Sequence, residues 1–182
     1  MSLIKLLTEK KGDSYDTGCV SLRVDFPVMK KIHAAIDQDD LYEETGDRTY
    51  GIEDETHVTL LYGIHDGVSV ADVKAVIDQF TFSKIKAYNI SVFEKEDYDV
   101  LKFDVKSPEL NRVNKALTEL PHTNDYPDYH PHLTVAYLQP GAGKKYIKAL
   151  KKLEINIKPT YVEYSEANGR ESKIPIKLSK KA

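Results

Sequence analysis

Cysteine occurs once in the 182 residues, at Cys19, so the chain can form no internal disulfide. This fits a reducing compartment. Cys19 lies in the apolar run GCVSLRVDF, where a small buried hydrophobe is the expectation and a nucleophile is not. No apolar stretch approaches the ~20 residues needed to cross a bilayer. The opening MSLIKLLTEKKGDSYD has too short an apolar segment for a secretory signal and no small-residue cleavage site. A cytosolic, monomeric protein without a membrane partner is therefore expected. Low-complexity linkers are also lacking, which predicts one body over residues 1–182. A broad excess of positive charge is absent too: the formal net charge is -3. That argues against an extended electrostatic footprint for long duplex nucleic acid. Residues 141–182 hold eleven Lys or Arg against four Asp or Glu, a balance of +7, so residues 1–140 sum to -10. A small or short anionic ligand is compatible with this distribution.

The patterning predicts an α+β order. A strand is expected over residues 17–26, TGCVSLRVDF, and Pro27 then opens a helical stretch with Val28, Ile32, Ala35 and Ile36 on one face. Residues 38–56 read as an acidic loop. Ser69 is a candidate N-cap, with Asp72 completing a capping box. KIKAYNISVF and YDVLKFDV, separated by EKED, predict a hairpin. Ser107-Pro108 opens another helix, ended by Pro121. Gly141 and Gly143 bracket a turn into a basic helix, and Asn168-Gly169 marks a turn between closing strands.

One motif is written twice. His57-Val58-Thr59-Leu60-Leu61-Tyr62 reads HVTLLY, and His132-Leu133-Thr134-Val135-Ala136-Tyr137 reads HLTVAY. Side chains alternate along a strand, so each histidine shares a face with the threonine two residues on. Two such strands related by a pseudo-twofold axis would bring two imidazoles and two hydroxyls together. That set suits phosphodiester chemistry without a metal. One neutral histidine removes a proton, the other as imidazolium supplies one, and the hydroxyls donate to non-bridging phosphate oxygens. The doubling is what separates this reading from that of a lone structural histidine.

The paired segments resemble the HxT/S motifs of the 2H phosphoesterase superfamily, with likeness over nearly the whole chain. The resemblance implies a bilobal α+β fold: two antiparallel sheets with pseudo-twofold symmetry flanking a central cleft, helices outside. It implies metal-independent cleavage, no cofactor, His57 and His132 as acid and base, and Thr59 and Thr134 binding phosphate. Val135 stands where the first motif has Leu60, a conservative departure. GCVSL, HVTLLYG and YHPHLTVAYL further resemble compact bacteriophage members, including anti-CBASS nucleases that degrade cyclic di- and oligonucleotide signals. That likeness implies attack by a 2'-hydroxyl on a 3'–5' linkage, in the host cytoplasm. A 2',3'-cyclic phosphate at an RNA end is the alternative substrate.

Further candidates are weaker. Simple alternation puts Tyr62 and Tyr137 on the core face, although both remain candidates for substrate contact. Tyr126 and Tyr129 precede the second motif and are candidates to stack on a base. Tyr15 is a candidate to close the cleft, and Lys144 opens a helix near where an anion can sit. Glu163 or Glu166 is a candidate to orient a histidine or read a base edge. His33 reads as structural. The rival class is a metal hydrolase built on Asp128, His130 and His132, with His57, His65 or His122 adding ligands. That arrangement leaves the HVT/HLT symmetry unexplained. A non-catalytic nucleotide-binding protein is the third reading.

Overall fold

A computed structural model describes residues 17–43, 51–123 and 128–179. The elements run β1 (Thr17–Asp25), α1 (Met29–Ala34), a 3-10 turn (Gln38–Asp40), β2 (His57–His65), α2 (Val70–Ile77), β3 (Thr81–Phe82), β4 (Ile85–Glu94), β5 (Asp99–Lys106), α3 (Leu110–Leu117), β6 (His132–Leu138), α4 (Gly143–Leu150), β7 (Ile155–Ser165), β8 (Glu171–Pro175) and β9 (Lys177–Leu178). The class is α+β, as expected. The Ser69–Asp72 capping box forms at the start of α2, with both reciprocal hydrogen bonds. The β4–β5 hairpin is present, and Gly169 takes the positive φ of 83° that its turn requires.

The main sheet has seven strands in the order β2-β1-β7-β4-β5-β6, with β8 also on β7. Every pairing within it is antiparallel. The expected two sheets are joined because β7 is long enough to serve both. Its first residues, 155–157, pair with β4, and residues 158–165 pair with β1. Strand, helix, motif strand, helix occurs twice, as β1-α1-β2-α2 and β5-α3-β6-α4. The core is continuous between the halves, running from Val20, Leu22, Val58 and Leu61 to Leu101, Phe103, Leu133 and Ala136.

The motif strands end the strand order at opposite extremes, yet β2 and β6 lie against one another. Chain connectivity helps bring them together. Residues 51–53 hydrogen-bond along β6, through Tyr137 N–H to Gly51 O and Glu53 N–H to Val135 O, before the chain enters β2. The Tyr129 hydroxyl donates to Thr59 O at 3.0 Å, tying the approach to β6 back onto β2. Among the described residues, no helix is long and apolar enough to cross a membrane.

Candidate functional site

Each motif histidine is held in the same way. His57 Nδ1 lies 2.7 Å from Glu55 O, and His132 Nδ1 lies 2.9 Å from His130 O, in both cases the carbonyl two residues earlier. A carbonyl accepts only, so each Nδ1 carries the proton, and in the neutral ring Nε2 keeps its lone pair. Neither Nε2 has a hydrogen-bond partner among the described residues. Both rings are half-buried. Burial lowers the His57 pKa. The Glu55 carbonyl opposes that, and the charges of Arg23 and His132 add to the lowering. Burial also lowers the His132 pKa, with Lys102 adding to the effect and the His130 carbonyl and Asp104 opposing it. The two rings stand on strands β2 and β6, which lie against one another. Their neutral forms are favoured in the free protein.

The register explains the whole motif, including the tyrosine. On β1, Arg23 pairs with His57, Ser21 with Thr59, Val20 with Leu61 and Cys19 with Tyr62. Leu60 is therefore an extra, bulged residue. On β5, Asp104 pairs with His132, Lys102 with Thr134, Leu101 with Ala136 and Val100 with Tyr137, so Val135 is the extra residue there. A bulge resets the alternation. Tyr62 and Tyr137 consequently join the histidine–threonine face, correcting the expectation that alternation carries them into the core. Tyr62 is half-buried. Tyr137 is buried against Tyr98, ring centroids 5.7 Å apart, and Tyr98 in turn meets Tyr42 at 5.1 Å.

The strands beside the motifs supply groups that sequence reasoning missed. Arg23 is buried beside His57. Its Nε donates to Glu163 Oε1 (3.0 Å), its Nη2 donates to the same oxygen and to Glu55 Oε2 (2.8 Å), and its Nη1 donates to Glu55 O (3.1 Å). That last carbonyl is the one holding His57. The expectation that Glu163 orients a histidine thus takes an indirect form, through Arg23. Arg23, Glu55, Glu163, Tyr161 and Lys173 also line a cavity of about 340 Å³. In the second half, the buried Lys102 pairs with Asp104, which also accepts from Asn89. Lys102 Nζ sits 4.3 Å from the Phe93 ring centre, and Phe93 meets His132 at 5.3 Å with rings at 89°. Phe93 is 38 % exposed, an apolar surface beside a motif histidine. Alternation along β4 would send it to the core with Ile85 and Ala87. Asn89, with φ of 47°, forms an extra residue between Tyr88 and Ile90 and turns Phe93 outward.

The other sequence candidates are not all brought to this site. Tyr15 and Tyr126 lie outside the described residues. Tyr129 packs against the core and spends its hydroxyl on Thr59 O, which makes it a tie to β2 and not a free stacking ring. Lys144 is exposed and pairs with Glu94 at 3.1 Å. Glu166 pairs with Arg170 at 3.9 Å. Cys19 is buried, and burial pushes its pKa up to about 11, so it is an inert thiol. Among the described residues, no three His, Cys, Asp or Glu gather as metal ligands. His65 meets Thr123 Oγ1 at 2.7 Å, and His122 donates to Leu120 O at 2.8 Å. His33 is structural, as expected, with Nε2 donating to Val135 O at 2.9 Å.

Glu53 adds a titratable group under the site. It is buried, its Oε1 accepts from Glu55 N–H at 3.1 Å, and its Oε2 has no hydrogen-bond partner among the described residues. Burial pushes its pKa from 4.5 up to about 8. The folded state therefore keeps a proton that the unfolded chain releases, and stability falls as pH rises from about 4.5 to about 8. Glu53→Gln should raise the urea midpoint at pH 8 by more than at pH 5. An equal change at both pH values would mean that Glu53 does not hold a proton in the folded state.

Comparison with known proteins agrees with this architecture. Kluyveromyces marxianus Usb1 superposes with TM-score 0.55 at 12% identity, covering 90% of this chain and 99% of that one. The same protein with uridine monophosphate gives TM-score 0.51 at 13% identity, covering 90% and 99%. Escherichia coli LigT complexed with 3'-AMP gives TM-score 0.49 at 14% identity, covering 88% and 96%. At these identities the two Usb1 superpositions show a likeness of fold alone. No curated protein matches by sequence. Residues 20–171 match the family described as Anti-CBASS protein Acb1, a span that contains both HxT strands and Arg23, Glu55, Phe93, Lys102, Asp104 and Glu163 around them. The chain belongs to the Acb1 anti-CBASS family and has the 2H phosphoesterase fold.

Proposed function

We propose that the protein is a metal-independent phosphodiesterase that cleaves 3'–5' linkages of cyclic di- or oligonucleotide signals, with His57 and His132 as acid and base. The observation that carries this reading is the pairwise equivalence of the two rings. Each is fixed through Nδ1 to a carbonyl, and each keeps an Nε2 without a partner among the described residues. In the reaction a substrate 2'-hydroxyl attacks phosphorus. The O2'–P bond forms and the P–O5' bond breaks. One histidine, neutral, takes the 2'-proton, and the other, as imidazolium, gives a proton to O5'. The product carries a 2',3'-cyclic phosphate, and the two histidines have exchanged protonation states. Thr59 and Thr134 donate to the non-bridging oxygens, where negative charge grows in the transition state. Phe93, beside His132, offers apolar contact to a nucleobase. Family membership supports a nucleotide immune signal as substrate, and the net charge of -3 favours a small ligand over long RNA.

The test is cleavage in excess EDTA of 3'3'-cyclic dinucleotides, a cyclic trinucleotide, 2',3'-cyclic mononucleotides and a short RNA with a 2',3'-cyclic end. Preferred, EDTA-resistant cleavage of a cyclic di- or trinucleotide is expected. Preference for the RNA end would replace the signal with RNA processing, and activity only on adding a divalent metal would overturn the mechanism. Thr59→Ala and Thr134→Ala should each lower turnover ~10–1000-fold, as removal of an oxyanion donor does. Turnover unchanged by either substitution would remove the phosphate-binding role.

A further inference from the structure

Two bulges determine which side chains face the site, and each bulge is gripped by a side chain from the opposite half of the molecule. The extra residue of β2 is Leu60, and its carbonyl accepts from Asn114 Nδ2 at 2.7 Å. The extra residue of β6 is Val135, and its carbonyl accepts from His33 Nε2 at 2.9 Å and from Glu53 N–H at 3.3 Å. Asn114 lies on α3, which follows β5, whereas β2 belongs to the first half. His33 lies on α1, which follows β1, whereas β6 belongs to the second half. The packing is crossed in the same sense, α3 against β2 and α1 against β6.

We propose that Asn114 and His33 are positioning residues: each holds the bulge in the other half's motif strand and thereby keeps Tyr62 or Tyr137 on the face of the two histidines. The physical reason is register. A strand without its bulge would continue simple alternation, which would put Leu61 and Ala136 on the histidine face and Tyr62 and Tyr137 in the core. Leu60 and Val135 are wholly buried, so no water replaces a lost side-chain donor, and without His33 the Val135 carbonyl keeps only the longer bond from Glu53 N–H. A well-placed donor therefore favours the bulged register over the regular one. The arrangement is found twice, with different residue types supplying the same N–H. Because the grips cross, the geometry of each half of the site depends on the other half. The inference rests on the proposed activity only where turnover is measured.

The chain contains no tryptophan, so Tyr62→Trp or Tyr137→Trp introduces a single indole, which selective excitation reads apart from the tyrosines. Asn114→Leu should shift the emission of the Tyr62→Trp protein and leave that of the Tyr137→Trp protein unchanged. His33→Leu should do the reverse. General loosening of the fold would move both reporters, and that result, or movement of neither, overturns the proposal. Asn114→Asp, the same size but without the donor, repeats the test should Asn114→Leu fail to fold. On the cyclic dinucleotide, Asn114→Leu should lower turnover about tenfold to a hundredfold, as misplacement by about 1 Å does. Adding Tyr62→Ala should then cost nothing further, and His33→Gln, which retains an N–H donor, should recover most of what His33→Leu loses. Additive losses from Asn114→Leu and Tyr62→Ala overturn the proposal. A wild-type protein inactive on every phosphodiester would sink the proposed activity, while the emission readout would still decide the positioning role.

Discussion

His57→Ala and His132→Ala should each reduce phosphodiester cleavage by ~10²–10⁴-fold while leaving the urea midpoint close to wild type. The loss is large because in the proposed mechanism each ring has a separate proton to move. Folding is spared because the rings are half-buried and the hydrogen bond from each Nδ1 goes to a carbonyl only two residues away. The pH dependence carries a further sign. Burial lowers both pKa values from the ordinary 6.5, so at pH 7 the free protein holds both histidines mainly neutral. The base is ready and the acid is scarce. The kcat/KM profile should therefore peak below pH 6.5, and the kcat profile should peak at higher pH, because a bound phosphate favours the imidazolium. Identical profiles with an optimum near pH 8 would rule out this division of protons. So would near-normal turnover in either alanine variant.

Arg23→Met should destabilise the fold by about 3–5 kcal/mol, because it leaves the buried Glu163 carboxylate without its counter-charge. Both partners are withdrawn from water: the side chains of Arg23 and Glu163 are 9 % and 5 % exposed. The contact between Arg23 and Glu55 should contribute far less, since the Glu55 side chain is 47 % exposed. Replacing both members, Arg23→Met with Glu163→Met, removes the two charges together and should recover most of the loss. Urea unfolding of the two single variants and the double variant measures the coupling directly. A cost below about 1 kcal/mol for Arg23→Met would mean that the pair behaves as a surface pair. Arg23 also donates to the carbonyl that holds His57, so turnover in the double variant should remain below wild type although stability returns.

Most elements were legible because their signals are local. Ser69 and Asp72 cap α2 through atoms three residues apart, and Gly169 turns where its sequence neighbours require it. The shared face of each HxT pair was legible because His and Thr two residues apart lie on one side of any regular strand. Its tyrosine was misread by the same logic. Alternation holds only between bulges, and a bulge after each threonine rotates Tyr62 and Tyr137 by one face. Phe93 escaped for the same reason, through the extra residue Asn89. Arg23, Lys102 and Asp104 were hidden differently. Their importance comes from pairing with the motif strands across the sheet, and sequence separation says nothing about which strands will be neighbours.

By itself, the sequence determined the element types, the α+β class and the two His–Thr pairs that each share a strand face, because propensity, capping and strand alternation act over a few residues. Only the tertiary structure decided that β2 and β6, the two ends of one sheet path, come together, and that buried donors on α1 and α3 hold a bulge in the strand of the opposite half. Those outcomes depend on long-range packing and on buried carbonyls finding partners. Such partners exist only once distant segments have met.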